Sequence, residues 1–234
     1  MTTNSPIDSD HSGYRSPLES RNASVEMRAL WSEQRKFSTW RRIWLALAES
    51  QHELGMPVSR AQVEAIRAHL DDIDFAAAAK HEARLRHDVM AHVHTLGDAA
   101  PTARAIIHFG ATSQDVVCNA DMLVLRDSLG LIAGKLARVV DRLGGFAAKH
   151  CQLATLGFTH FQPAQPTTVG KRATLWAQDF AIALEQVEFV LQSLRLRGLR
   201  GATGTQASYL GLLDGDPAKV DALEAKFADK LGWP

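Results

Sequence analysis

Between Asp115 and His150 the apolar residues Met122, Leu125, Leu129, Ile132, Leu136, Val139, Leu143 and Phe146 advance in steps of 3, 4, 3, 4, 3, 4 and 3. A repeat of that period lays one apolar stripe along a long helix. A second stripe of Val169, Ala173, Trp176, Phe180, Leu184, Val187, Leu191 and Leu194 predicts another long helix, opened by Thr168. Two such rods cannot bury their stripes on each other alone, so more helices or partner copies must cover them. No strand pattern and no internal repeat is read anywhere, and the expected fold class is all-α.

The rods are joined by Gly157-Phe158-Thr159-His160-Phe161-Gln162-Pro163-Ala164-Gln165-Pro166-Thr167-Thr168. Two prolines fix φ and remove two amide donors, and they push Gln162 and Gln165 toward extended backbone. These residues read either as a plain inter-helix loop with a surface histidine or as a strap that holds one imidazole in place.

Upstream, the polar residues 1–17 read as a disordered leader. Ser20 to Ser24 reads as a turn, and a helix is expected from Val25 to Leu54, with Phe37, Trp40, Trp44 and Leu47 on one face. Ser59 and Gln62 form a capping-box pattern ahead of a short helix. Asp74 is read as the N-cap of a helix from Phe75 to Leu96, closed by Gly97. That helix carries His81, His87, His92 and His94, but no pair at i, i+4, no His-Glu-x-x-His and no nearby cysteine, so no metal site is assigned. Arg86-His87-Asp88 places a cation, an imidazole and a carboxylate side by side. They read either as helix-surface charges or as a functional cluster.

His108-Phe109-Gly110-Ala111-Thr112-Ser113-Gln114-Asp115 precedes the first long rod. Thr112 and Ser113 stand at the N-cap, where free N–H groups and the positive end of the dipole suit a carboxylate or phosphate. Capping and anion binding can both hold there. After the second rod, Gly201-Ala202-Thr203-Gly204-Thr205-Gln206-Ala207-Ser208 is a hydroxyl-rich turn that fits neither a dinucleotide fingerprint nor a P-loop. A polar turn at Asp214 to Pro217 then precedes an amphipathic helix to about Leu231.

Charge and composition narrow the function classes. Twenty-six basic and 26 acidic residues cancel, which gives no general attraction to nucleic acid or an anionic membrane. No apolar run approaches the ~18–20 residues of a membrane span, and no signal peptide is recognised. A soluble, cytoplasmic protein is expected. If Cys118 and Cys151 lie on one helix they are roughly 50 Å apart, too far for a disulfide.

Four of these stretches carry a resemblance. His108 to Asp115 resembles the first shared region of the fumarase/aspartase superfamily, and Thr159 to Thr168 resembles the second. Arg84 to His94, together with Gly201 to Ser208, is similar to the adenylosuccinate lyases of the kind also found in animals. The resemblance runs from about Ser16 to the end of the chain. It implies an N-terminal helical domain over 18–111 and the first, incomplete part of a long-helix bundle over 112–234. It implies β-elimination of fumarate from adenylosuccinate, giving AMP, and from the succinyl-carboxamide ribotide of purine biosynthesis. No cofactor is implied. The partners implied are a succinyl nucleotide and further copies of the chain, in a homotetramer whose active sites draw on three subunits.

Residue by residue, the resemblance makes His160 the general acid and His87 its assistant near the leaving group and phosphate. Arg21, Arg86 and Asp88 resemble nucleotide-binding positions. Thr112, Ser113 and Thr159 resemble hydroxyls that hold the succinyl carboxylates, and Gln206 resembles a further substrate contact. Histidine suits acid–base work because its protonation changes near neutral pH. Asn22 stands where the family has a tyrosine. The family's third shared region, a mobile Ser-Ser-x-Met-Pro-x-Lys-x-Asn-Pro loop whose serine is the base, has no counterpart in these 234 residues. The expectation is therefore a truncated lyase, inactive alone. The alternative is a non-catalytic oligomerisation or nucleotide-binding module derived from one. A lyase acting on argininosuccinate or fumarate is disfavoured by the Arg-His-Asp and Thr-Gly-Thr-Gln stretches.

Overall fold

The computed structural model describes residues 14–233, so residues 1–13 of the expected leader lie outside the described residues. Leu18–Asn22 forms a π-helical turn where the sequence suggested a simple one. The expected helix from Val25 to Leu54 is two helices, α1 (Val25–Leu30) and α2 (Glu33–Glu53). Ser32 breaks it: its hydroxyl accepts the Arg35 N–H at 3.2 Å and so caps a new start. The Ser59–Gln62 capping box opens α3 (Arg60–Arg67), as its sequence suggests.

The second expected long element is also split, into α4 (Phe75–Leu85) and α5 (Asp88–Ala99). Arg86 turns left-handed, with φ 51° and ψ 40°, and His87 restarts the chain as the N-cap of α5. Gly97 therefore lies inside α5 rather than ending a helix. No glycine or proline marks this break, and a tripeptide of good helix neighbours concealed it. A 3₁₀ turn at Pro101–Ala103 leads to the start of α6 (Ser113–Lys149).

Trp40, Ile43, Trp44 and Leu47 point from α2 into one core with Leu96 of α5, all at most 2% exposed. Large aromatic rings dominate such a core because each removes so much apolar area from water. The same core takes in Leu199, Tyr209, Leu223 and Phe227, carried by a loop, by α8 (Ala207–Leu212) and by α9 (Pro217–Lys230). Along the first half of α6 the buried residues are Asp115, Val116, Asn119, Ala120, Leu123, Val124 and Ser128, and toward its end only Ala147 is buried. This stripe is displaced from the sequence-derived seam, whose Ile132 and Phe146 remain 37% and 44% exposed.

Beyond α6 the structure corrects the expectation that strands are absent. Ala154–Thr159 (β1) and Gln162–Thr168 (β2) pair as an antiparallel hairpin, from Ala154↔Thr168 to Thr159↔Gln162. Two prolines in β2 argued against a strand, because proline cannot donate to a ladder. A two-stranded sheet is all edge, so their missing donors cost nothing on the open side. Apart from this hairpin the elements are helical, and the all-α class stands.

Thr168 caps α7 (Val169–Ser193), its Oγ1 accepting the Lys171 N–H at 3.0 Å. Gly170 lets α7 leave the hairpin hard against α6. A Cβ there would lie 2.3 Å from the Ala147 carbonyl oxygen and 2.7 Å from the Cys151 Cα. Helix α7 then returns along α6. Just past its end, Asn119 of α6 exchanges two hydrogen bonds with the backbone of Gly198, at 2.9 and 3.0 Å. Among the described residues no helix is long and apolar enough to cross a membrane.

Candidate active site

The return of α7 delivers the Gly198–Ser208 loop to the N-terminus of α6, and Asp115 fastens it there. This carboxylate is 3% exposed. Its Oδ1 accepts the N–H groups of Arg200 and Gly201, both at 2.9 Å. Its Oδ2 accepts the Thr112 N–H at 3.0 Å and the Tyr209 hydroxyl at 3.2 Å. Burial and the adjacent carboxylate push the Tyr209 pKa upward, so the hydroxyl stays protonated and donates. A carboxylate in the first turn also complements the helix dipole. Gly110 makes the close approach possible: it has φ +78°, and a Cβ would meet Leu212 Cδ1 at 2.6 Å.

The result is a cavity of about 360 Å³. Its walls are Gly110, Ala111 and Thr112 on one side and Gly201, Ala202, Thr203, Thr205, Ala207 and Ser208 on the other. Backbone, the methyl groups of Ala111, Ala202 and Ala207 and small hydroxyl side chains line it, and the hydroxyls and backbone amides are the groups suited to a polar ligand.

The break between α4 and α5 comes to the same place. Ser113, the first residue of α6, has its Oγ 3.2 Å from His87 Nε2. His87 Nδ1 accepts the Met90 N–H at 3.4 Å. Asp88 Oδ1 accepts the Val89 N–H at 2.7 Å and lies 3.7 Å from the His87 ring. Arg86, at the end of α4, is exposed beside them. A cation, an imidazole, a carboxylate, a hydroxyl and a helix N-terminus thus meet, although the sequence read the first three as part of an unbroken helix.

His108 belongs to this cluster and was given no role by the sequence. Its backbone is left-handed, φ 68°, a rare state for a residue other than glycine. Its Nδ1 accepts the Trp44 indole N–H at 3.1 Å. Burial lowers its pKa; Asp115 opposes that effect and His87 adds to it, which places the ring among these groups. Asp115 was also unassigned, yet its position three residues after a threonine N-cap is a legible capping signal.

The remaining predicted residues separate. Gln206 turns away from the cavity mouth, its amide donating to the Leu199 carbonyl at 3.0 Å and reaching Glu224 at 3.4 Å. Arg21 lies exposed on the Leu18–Asn22 turn, its side chain in no hydrogen bond or ion pair among the described residues. Thr159 and His160 lie at the tip of the hairpin, past the far end of α6. Helix α6 has 37 residues, which makes it about 55 Å long. His160 therefore cannot meet His87 or Ser113 within one protomer. The other helix histidines are engaged elsewhere. His81 Nε2 bonds Asp98 at 2.7 Å and its ring stacks on His94, while His92 is buried against Phe37.

Residues 21–211 match the family described as Lyase, and the chain belongs to that family. Within it, the chain is similar to the adenylosuccinate lyase of Saccharomyces cerevisiae, 48% identical over 227 residues, covering 96% of this chain and 47% of that protein. Among solved structures it is similar to a 3-carboxy-cis,cis-muconate lactonizing enzyme from Pseudomonas putida, with TM-score 0.81 and 25% identity over 93% of this chain and 50% of that one. A fumarate lyase from Mesorhizobium sp. BNC1 gives TM-score 0.78 and 27% identity, covering 90% of this chain and 48% of that one. The fold is that of the fumarase/aspartase superfamily, and the chain spans about half the length of the curated relatives it matches.

Proposed function

We propose that this chain is the N-terminal portion of an adenylosuccinate lyase, a cytoplasmic enzyme of purine biosynthesis that eliminates fumarate from adenylosuccinate and from the succinyl-carboxamide ribotide. The observation that carries this reading is the contact of Ser113 Oγ with His87 Nε2 at 3.2 Å, which joins two of the sequence stretches that resemble that family. The similarity to the yeast enzyme supports the same reading. The succinyl arm and phosphate are anions, and the cluster offers a guanidinium, imidazoles, hydroxyls and a helix start to receive them.

His160 is the proposed acid that protonates the departing nitrogen. His87, Arg86, Asp88, Thr112 and Ser113 bind the substrate near the α6 N-terminus. Arg21, Thr159 and Gln206 are the remaining proposed contacts, and 18–111 and 112–234 the proposed domains. Because His160 lies about 55 Å from that cluster by the length of α6, the site closes only when the hairpin tip of another copy reaches it, in a homo-oligomer of the tetrameric kind. These 234 residues contain no Ser-Ser-x-Met-Pro-x-Lys-x-Asn-Pro stretch, so turnover needs a longer product of the same gene.

The test is fumarate release followed by absorbance. No release is expected from the 234-residue chain. In the longer protein, His87→Ala and His160→Ala are each expected to lose activity, and co-assembly of the two variants is expected to restore part of it. Turnover by the 234-residue chain overturns the need for a longer product. Failure of mixed assemblies to recover activity overturns the shared site.

A further inference from the structure

Another cavity lies away from the loop at the α6 N-terminus. It is a cleft of about 350 Å³ between α2, α3, α6 and α9, within the ~300–1,000 Å³ usual for small-molecule sites. Its residues on α6 are Leu123, Arg126 and Asp127, about 15–20 Å along the axis from Ser113. The lining carries Arg35, Arg42, Arg67, Arg126 and Lys230 against only Glu49 and Asp127. Five cations against two carboxylates leave an excess of three positive charges, in a chain whose basic and acidic residues cancel. Leu45, Leu123 and Leu231 give the cleft an apolar wall.

Each cation is held from one side. Arg35 Nη2 donates to Asp127 at 2.5 Å, and Arg42 Nη2 to both oxygens of Asp71 at 2.9 and 3.0 Å. Arg67 bonds Glu49 through Nη2 and Glu64 through Nε, and Lys230 bonds Glu53 at 2.5 Å. Arg126 Nη1 donates to the Gly232 carbonyl at 2.9 Å, with its guanidinium 4.6 Å from the Trp233 ring centre. Asp71, Glu53 and Glu64 stand outside the lining, so the cations are turned inward and most of their carboxylates are not. One edge of each guanidinium stays open. Nη1 of Arg35, Arg42 and Arg67 and Nη2 of Arg126 make no hydrogen bond with the protein among the described residues. A guanidinium presents five N–H donors in a rigid fork, and several such forks held in place around one cleft are preorganised for a multiply charged oxyanion.

We propose that this cleft binds a small ligand bearing two or more phosphate groups, separately from the substrate cluster. The phosphates meet Arg35, Arg42, Arg67 and Arg126, and any apolar body of the ligand lies against Leu45, Leu123 and Leu231. A phosphate monoester carries about −1.5 to −2 charges at pH 7, so two phosphate groups match the excess on the lining. A single carboxylate leaves most of it unmatched. Free polyphosphate and a nucleoside polyphosphate share this chemistry and differ in the use they make of the apolar wall. Occupancy ties α2 and α3 to α6 and α9 and stabilises the folded chain.

Isothermal titration calorimetry at about 0.15 M salt, on the 234-residue chain and on the longer protein, tests this with inorganic tripolyphosphate, cytidine triphosphate and cytidine. Saturable binding of the first two is expected, and none of cytidine. Tighter binding of cytidine triphosphate marks a ligand with a nucleoside body, and equal binding marks free polyphosphate. Arg42→Gln and Arg126→Gln are each expected to weaken binding about tenfold, the worth of one charge-assisted hydrogen bond. Lys149→Gln, at the other end of α6, is expected to change nothing. Arg126 packs on Trp233, whereas the Arg42 side chain bonds only Asp71, so Arg42→Gln reads the site without disturbing the fold. His87→Ala is expected to leave binding intact; its loss there would place the ligand at the substrate cluster and overturn the proposal. So would tripolyphosphate that binds no better than sulfate at equal ionic strength, or binding that both arginine variants keep. Binding by the 234-residue chain that the longer protein lacks also overturns it, because later residues then fill the cleft. Fumarate release, which tests the proposed function, enters none of these readouts.

Discussion

Near the start of α6, Val116 and Ala120 are 1% and 2% exposed, while toward its other end Phe146 is 44% exposed. The contrast extends to the neighbouring elements. At the near end, Trp40, Trp44, Leu96, Tyr209 and Phe227 form a filled core; at the far end, Trp176, Phe158 and Phe161 are 54%, 62% and 107% exposed. The same amphipathic pattern thus serves one region that is complete in itself and another that still offers its apolar surface outward. An apolar stripe states that a surface is to be covered, and leaves open by what. The proposed chemistry divides in the same way: the proposed anion-binding cluster sits on the filled end, and the proposed acid on the open one.

Four results would sharpen or break this division. The largest concerns the open end. In the longer protein, His160→Ala is expected to lower kcat by ~10²–10⁴-fold, the usual worth of general acid–base help, without altering the urea midpoint. A loss under about tenfold would make the hairpin tip structural.

Stability comes next. Leu96→Ala, in the filled core, is expected to cost about 2–5 kcal/mol by urea denaturation. Phe158→Ala, at the open end, is expected to stay within about 0.5 kcal/mol in the dissociated chain. Similar costs at both sites would erase the distinction.

The filled end also predicts a pH dependence. Burial, then the charges of Arg41 and Lys36, lowers the His92 pKa from 6.5 to about 4. The unfolded chain takes up this proton near 6.5 and the folded one only near 4. Stability is therefore fully present above 6.5 and falls as the pH drops toward 4, by on the order of 3 kcal/mol. His92→Phe should flatten that part of the profile; an unchanged slope would place the titration elsewhere.

The smallest expected effect tests how firmly the two ends are joined. Gly170→Ala puts a methyl group against the Ala147 carbonyl and the Cys151 backbone, which overpacking makes about 1–3 kcal/mol unfavourable. Hydrogen exchange should quicken around the hairpin base and spare α2. Exchange spreading to Trp44 would mean that the ends unfold as one.

Much of this was legible beforehand. The Ser59–Gln62 capping box, the Asp74 cap, the long helices and the Thr112 start all follow from local rules that need only neighbouring residues. The hairpin was not legible, because Pro163 and Pro166 carry the signature of irregular chain and only the lone pairing partner β1 makes them tolerable. The breaks at Ser32 and at Arg86–His87 were missed as well. A serine or histidine acts as an N-cap only once its side chain folds back onto an amide, and the residue type alone does not announce that choice.

The candidate site separates along the same line. Residue types and spacing singled out His87, Thr112, Ser113 and His160, because their chemistry is written in single side chains and short motifs. That Ser113 touches His87, that Trp44 holds His108, that Asp115 binds a loop eighty-five residues later in the chain, and that His160 stands at the other end of α6 are facts of distance between remote segments. Such distances depend on how helices pack and return, through contacts like Gly170 and Asn119, and no local pattern encodes them. Helix periodicity and motif chemistry are properties of neighbours in sequence; a site is a property of neighbours in space.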